Sequence, residues 1–242
     1  MDIFCWNIRG FNDPVKRRGF RKWFREHKPI FGGLVETHVC PERASSLVAR
    51  SFPGWSFVNN YEYSDLGKIW MVWHPSVQVQ VLFKSLQLIT CAIKLPSEDS
   101  DILISFVYGS NIRRERKKLW NDLEIVAHSS ITASIPWACL GDYNEILHPE
   151  EHSNAISFLS TPGMRDFKQC VDNCFLLEPP YFGNELTWSN NSDVSPITKM
   201  LDRILVNDQW LLRFPESVGV FGDPGISDHS PCCLYLDSFK PK

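Results

Sequence analysis

The stretch that most constrains this chain is Pro136-Trp137-Ala138-Cys139-Leu140 followed by Gly141-Asp142-Tyr143-Asn144-Glu145. A short apolar run bounded by proline and stopped at Gly-Asp reads as a buried strand that ends at a turn. Side chains at a strand end leave the core for solvent. Here a carboxylate and a carboxamide emerge one residue apart, on the same side. Asp can hold a metal or polarise a water, and Asn can donate to an anionic oxygen without adding a like charge. An Asx turn after a strand would use the same residue types, so the weight rests on whether the pattern recurs.

It does. Asp2 to Asn7 reads as a strand ending on Asn7, and Pro29 to Val35 as one ending at Glu36-Thr37. Asp101 to Val107 ends at Tyr108-Gly109-Ser110, Leu201 to Val206 carries Asp202, and Ser227-Asp228-His229-Ser230 precedes a strand from Pro231 to Leu236. Between Trp55 and Phe106 short Val-, Ile-, Phe- and Trp-rich runs, split at Gly67, Pro75, Ser85 and 96–100, predict an antiparallel meander. Gln78 to Phe83 alternates as a half-exposed strand does. Thr187-Trp188 predicts a further strand, 179–183 a turn, 145–160 an irregular loop and 190–196 a hairpin tip.

Helices are fewer. Asp13-Pro14 is a cap followed by proline at the first helical position, and Phe20, Trp23, Phe24 and His27 recur at helical spacing, so a helix is predicted from Pro14 to His27. Its other face carries Lys16, Arg17, Arg18, Arg21, Lys22 and Arg25. That run reads first as a solvated face and second as a phosphate-attracting flank. A short helix is predicted from Glu42 to Arg50. Another spans Ile112 to His128, with Asn111 as its cap and Arg113, Arg114, Arg116, Lys117 and Lys118 in its first half. Basic charge there opposes the helix dipole, which favours a role for it. Thr161-Pro162 starts a further helix.

With 242 residues, 43% of them hydrophobic, the chain can build one large core, and nothing divides it; a single domain over 1–242 is expected. A net charge of -3 excludes a strongly basic nucleic-acid binder while leaving room for a basic patch and for an acidic site that collects divalent cations. The eight cysteines form no CxxC pair and several sit in apolar runs, so they read as free thiols in a reducing compartment. Met1 leads directly into a strand-like stretch and no apolar run approaches a membrane span. The expectation is an intracellular protein, nuclear or cytoplasmic, and not secreted.

The polar groups at the strand ends are Asn7, Glu36, Tyr108, Asp142, Asn144, Asp202 and Asp228-His229. A layered β structure could gather them on one rim. Metal-assisted phosphodiester cleavage needs such a set: a carboxylate for Mg2+, a His-Asp pair for protons, and amide and phenol donors for the phosphate. Each has an ordinary reading too. Tyr108 fits a core edge, Glu36 a solvent carboxylate, and Asp202 a partner for Arg203.

Taken in order, Cys5-Trp6-Asn7-Ile8-Arg9-Gly10, Val35-Glu36-Thr37-His38, Val107-Tyr108-Gly109-Ser110-Asn111, Leu140-Gly141-Asp142-Tyr143-Asn144-Glu145, Leu201-Asp202-Arg203-Ile204-Leu205-Val206-Asn207 and Ile226-Ser227-Asp228-His229-Ser230-Pro231 resemble the endonuclease/exonuclease/phosphatase superfamily, which includes deoxyribonuclease I. More narrowly they resemble the endonuclease domain of plant LINE-type (non-LTR) retrotransposons. The resemblance implies an α/β fold: a four-layer sandwich of two mostly antiparallel sheets packed face to face, with helices outside. It implies a Mg2+-dependent DNA endonuclease, with Mn2+ able to substitute, acting as a monomer.

Carried over by position, Glu36 is the main metal ligand, with Asn7 and Asp228. His229 contacts the scissile phosphate or acts as base, oriented by Asp202. Asp142 positions or deprotonates the water beside Asn144, and Tyr108 donates to the phosphate. Both Asp142 and His229 are candidates for the base. Arg9, Thr187, Ser227, Arg113 and Arg114 are the expected nucleic-acid contacts. Tyr143 stands where phenylalanine is commoner and Cys5 where serine is common. The reverse transcriptase of such elements has no counterpart in these residues. The competing expectations are a small-molecule phosphoesterase of the same superfamily and an inactive domesticated domain that binds nucleic acid or protein.

Overall fold

A computed structural model describes residues 2–96, 98, 100–130, 132–154 and 160–237. In chain order the elements are β1 (Asp2–Asn7), α1 (Pro14–His27), β2 (Phe31–Val35), α2 (Pro41–Ser51), β3 (Ser56–Asn59), β4 (Ile69–Trp73), β5 (Gln78–Lys84), β6 (Leu88–Lys94), β7 (Ile102–Tyr108) and α3 (Arg113–Ala127). There follow β8 (Trp137–Asp142), α4 (Pro162–Asn173), β9 (Tyr181–Gly183), β10 (Trp188–Ser189), β11 (Thr198–Lys199), β12 (Asp202–Val206), α5 (Asp208–Arg213), β13 (Val218–Phe221) and β14 (Cys232–Tyr235).

Two mixed sheets result. One runs β3-β4-β2-β1-β14-β13-β9 and the other β12-β8-β7-β6-β5, with β10 and β11 as a separate hairpin. The pairs β1–β2, β13–β9 and β7–β8 are parallel and the other pairs are antiparallel.

Strand alternation assigns the layers. Ile3 and Cys5 of β1 face Ile104, Phe106 and Leu140 of the second sheet. Phe4 and Trp6 turn outward to Phe20 of α1 and, around them, Leu47 and Val48 of α2. On the far side Leu103, Val107 and Trp137 meet Leu119, Trp120 and Leu123 of α3 and Phe167 of α4. Helices, sheet, sheet, helices: these are the expected four layers. Strands β2, β7 and β8 read as continuous apolar runs because both their faces are covered. Gly33 lets the sheets close together, since a Cβ there would lie 2.6 Å from a ring carbon of Phe106.

Helix α1 has the predicted bounds, with the Asp13 carboxylate accepting the Val15 N–H at 2.7 Å. Thr161 caps α4 by accepting the Met164 N–H at 3.2 Å. Asn111, in contrast, does not cap α3. Ile112 holds that position without a side-chain bond, and Ser110 Oγ accepts the Ile112 N–H at 3.1 Å. The predicted turn at 179–183 contains β9, which pairs with β13. Both are too short, and too interrupted by glycine, to announce themselves. Residues 190–196 do join β10 to β11. Of the predicted 145–160 loop, 155–159 lie outside the described residues. All eight cysteines are free thiols. Among the described residues no helix is long and apolar enough to cross a membrane.

Candidate active site

Three strands of the five-stranded sheet bring polar residues into one row. In register, Tyr108 of β7 lies beside Asp142 of β8, and Asp142 beside Asp202 of β12. In-register neighbours share a face of the sheet. From the opposing sheet, Asn7 at the end of β1 donates through Nδ2 to Asp142 Oδ2 at 2.9 Å. His229, which leads into β14, meets Asp202 Oδ2 through Nδ1 at 2.9 Å. Two polar bridges therefore join the sheets where the apolar core between them stops. Gly141 has φ 146, and a Cβ there would lie 2.1 Å from the Val107 carbonyl oxygen, so only glycine lets β7 and β8 run this close into the site.

Asp142, Asp202 and His229 are 1%, 2% and 3% exposed. Each offers a ligand atom within 4.8 Å of the others, close enough to share an ion or a proton. The Nδ1 bond to Asp202 orients the imidazole so that Nε2 looks toward Asp142, 3.9 Å from its Oδ2. Burial opposes a charged imidazole, but Asp202 and then Asp142 outweigh it and raise the His229 pKa to about 9. Burial pushes Asp142 up to about 7, with Asp202 adding to the rise and His229 opposing it. Beside burial, a count of charges acts: one imidazolium balances one of two buried carboxylates. Asp202 makes the shorter bond to it, so Asp142 is left as the group that readily takes a proton. Asp142 is also held by the Asn144 N–H at 2.8 Å and by Asn144 Nδ2 at 3.1 Å. Arg203, next along β12, leaves Asp202 free of it by pairing with Glu151 and Glu178.

The rest of the rim is more open. Glu36 follows β2 directly, and His38 Nε2 stands 3.3 Å from its Oε1. The Tyr108 phenol hydrogen-bonds Glu36; burial, then the charges of Glu36 and Asp142, raise its pKa far above the usual phenol value, so it stays protonated. Arg9, expected to contact nucleic acid, turns its guanidinium onto Asp228. Its own backbone N–H donates to Asn7 Oδ1 at 3.0 Å, and it also lies in the field of Glu36. Asp228 further accepts Trp188 Nε1 at 3.1 Å. Arg9, Glu36, His38 and Asn144 all adopt left-handed φ, between 43 and 53. Non-glycine residues reach that region at a cost, and such strain gathers where loops must aim particular side chains.

Two of the expected nucleic-acid contacts have their hydroxyls engaged within the protein. Thr187 is 1% exposed, and its Oγ1 accepts the N–H groups of Leu201 and Asp202 at 3.0 and 2.9 Å. Its hydroxyl is taken up in setting the start of β12. Ser227 keeps some exposure, but its Oγ donates to the Asn7 carbonyl at 2.7 Å. On α3, Arg113 pairs with Asp166 at 2.8 Å while Arg114 is exposed. Sequence reasoning missed Trp188 and His38. The signals were present: a tryptophan N–H beside the site needs an acceptor, and His38 lies two residues beyond Glu36.

The sequence profile of the endonuclease/exonuclease/phosphatase family matches residues 4–229, which takes in every strand end described above. The chain belongs to this family. Comparison with curated proteins returns no significant match. Among solved structures, the chain is similar to the endonuclease domain of TRAS1, a telomere-specific non-LTR retrotransposon, at TM-score 0.74 and 11% identity over 99% of each chain. It is similar to the 3′-5′ exonuclease NExo from Neisseria meningitidis, at TM-score 0.74 and 17% identity over 98% of this chain and 100% of that one. It is also similar to the mannosyl-6-phosphatase Bt3783 of Bacteroides thetaiotaomicron, at TM-score 0.62 and 13% identity over 97% and 98%. At these identities the likeness is one of fold.

The family and these neighbours are hydrolases, both nucleases and a phosphatase. For a family member of this kind, donor chemistry separates two places for a cation. In the buried Asp142–Asp202–His229 cluster, one carboxylate and the imidazole already satisfy each other, and there is no solvent for the waters that Mg2+ retains. Nearer the rim, the carboxylates of Glu36 and Asp228, with side chains 17% and 8% exposed, and the amide oxygen of buried Asn7 supply oxygen donors. That set fits a hard divalent ion. The Arg9 guanidinium contacts Asp228 and its backbone N–H donates to Asn7 Oδ1, so an ion there must share Asp228 with the guanidinium or displace it.

Proposed function

We propose that the protein is a Mg2+-dependent DNA endonuclease, with Mn2+ able to substitute, whose single domain hydrolyses phosphodiester bonds as a monomer and leaves a 3′-hydroxyl, as LINE retrotransposon endonucleases do. The observation that carries this reading is the row Tyr108, Asp142, Asp202 capped by His229, in which one carboxylate is tuned near neutrality and one imidazole is kept protonated.

Each residue has a role in this reading. Glu36, Asp228 and Asn7 hold the cation, which supplies electrophilic stabilisation of the phosphate when bound. Asp142, with a pKa near 7, accepts a proton from the attacking water. Asn144 and Asn7 fix its carboxylate. Asp202 keeps His229 charged, and His229 Nε2–H donates to the oxygen on which negative charge builds. The protonated Tyr108 phenol donates to the same phosphate. Water oxygen bonds to phosphorus as Asp142 takes its proton, the bond to the 3′ oxygen breaks, and that oxygen takes a proton from solvent to leave as the 3′-hydroxyl. Arg114 contacts the backbone at the margin of the site.

The test is nicking of supercoiled plasmid with Mg2+ and then with EDTA. Conversion to the open circle that EDTA abolishes is the expected result. Hydrolysis of a soluble phosphomonoester with the plasmid untouched would transfer the reading to a phosphoesterase. No hydrolysis of either would leave a binding domain.

A further inference from the structure

The two basic helices differ in how their charge is balanced. On α3, Arg113 and Lys117 share Asp166, and Arg116 is buried against Glu145. On α1, no ion pair among the described residues involves Arg18, Arg21 or Arg25, and the same holds for Arg50 in the last turn of α2. These four arginines line one open groove of about 620 Å³ with Phe24, Ser51 and Pro53, and no acidic side chain lines it. Nearby, Arg17 holds its proton less tightly than usual: burial contributes most, followed by the charges of Arg43 and Arg21, with Asp13 opposing and Arg50 adding to the effect. Like charges have been gathered here in a protein whose net charge is -3. An isolated protein gains nothing from that arrangement, whereas a polyanion would relieve it.

We propose that the groove between α1 and the end of α2 is a second nucleic-acid site, which grips the phosphodiester backbone of the DNA away from the catalytic rim. The proposal rests on the endonuclease reading above.

Its placement fits that use. Lys16 Nζ donates to the carbonyls of Ile8 and Arg9 at 3.0 and 2.8 Å, and Arg17 Nη1 to that of Phe11 at 2.9 Å, which ties the start of α1 to the loop leaving Asn7. Arg18, Arg21 and Arg25 recur at i, i+3 and i+7 along one face, over about 10 Å of helix. That length is the rise of about three nucleotides of one strand. Arginine suits the task because its planar fork matches phosphate oxygens. Contacts to phosphate oxygens carry no sequence information, so the proposed grip is independent of sequence.

The experiment compares wild type with the triple variant Arg21→Gln, Arg25→Gln, Arg50→Gln, and with a second variant carrying lysine at the same positions. Fluorescence anisotropy in EDTA reads equilibrium binding to a labelled duplex of about 30 base pairs separately from chemistry. The glutamine variant is expected to lose at least about ten-fold in affinity and to flatten the log–log salt slope by roughly one unit per lost contact. The lysine variant should keep most of the slope. An unchanged affinity and slope in the glutamine variant would overturn the proposal. If the wild type bound the duplex through these arginines yet nicked nothing, the groove would stand and the endonuclease reading would fall.

Discussion

The site is made of two halves built on opposite terms. Asp142, Asp202 and His229 are walled off from solvent and bonded across the two sheets. Glu36 and Asp228, with side chains 17% and 8% exposed, lie nearer the edge beside Arg9, whose side chain is 53% exposed. In the proposed reaction each half has a different task. A proton can be passed near neutral pH only if carboxylate and imidazole are pulled away from their solution pKa values, and that takes burial and close charge. An exchangeable hard cation needs the reverse, oxygen donors that water can reach. The buried half is therefore formed before any ligand arrives, whereas the open half is closed by an arginine that must yield or share.

The comparison breaks most visibly at Asp142. Asp142→Asn keeps the shape but removes the group tuned near 7, so plasmid nicking should fall by about 10²–10⁴-fold, with DNA binding by anisotropy little changed. A loss below about three-fold would take the base role away from Asp142. Glu36→Ala acts on the other half. It should raise the Mg2+ concentration for half-maximal nicking by about ten- to a hundred-fold, with part of the rate recovered at high Mg2+. Normal cutting at limiting Mg2+ would remove Glu36 from the metal.

The pH profile sharpens the same contrast. Asp142 works as its anion, so the rate should rise as pH passes about 7. His229 works as its cation, so the rate should fall as pH passes about 9. The stability linkage has matching signs. The raised His229 pKa stabilises the fold below its ordinary value of 6.5, and that contribution is lost as pH climbs toward 9. The raised Asp142 pKa makes ionisation costlier in the folded chain, so stability declines between 3.8 and about 7. A rate that is flat from pH 6 to 10 would contradict both assignments.

Smaller effects are expected at the open edge. Arg9→Gln frees Asp228 and should tighten Mn2+ binding, read by calorimetry, by several-fold. Weaker binding would mean that Arg9 orients Asp228 for the metal and does not compete with it. Arg113→Gln should change nicking by less than about two-fold, because Asp166 already balances that charge.

Much of this arrangement was legible in the chain. Strand ends are visible because an apolar run must stop before a charge, and so Asn7, Glu36, Tyr108, Asp142 and His229 could be collected in advance. Asp13-Pro14 fixed α1 through local capping alone. What could not be read is what depends on register. That Tyr108, Asp142 and Asp202 stand in one row follows from the pairing of β7, β8 and β12. Thr187 was expected near DNA and lies inside because β12 starts against it. Arg9 was expected to contact nucleic acid, and its contact with Asp228 crosses 219 residues of sequence. The basic run of α3 drew attention ahead of that of α1, since acids brought by α4 and the 143–147 loop cannot be seen from helical spacing.

The division into halves is tested most directly by measuring single-turnover nicking rates of Asp202→Asn, His229→Ala and the double variant at saturating Mg2+, with the melting temperature of each. Groups that act as one unit are not additive. The account predicts a substantial loss of rate from each single change, a double variant no slower than the worse single within about three-fold, and a melting temperature lowered in both single variants by the broken buried pair. Multiplying losses, or an Asp202→Asn that lowers the melting temperature while the rate holds, would contradict it.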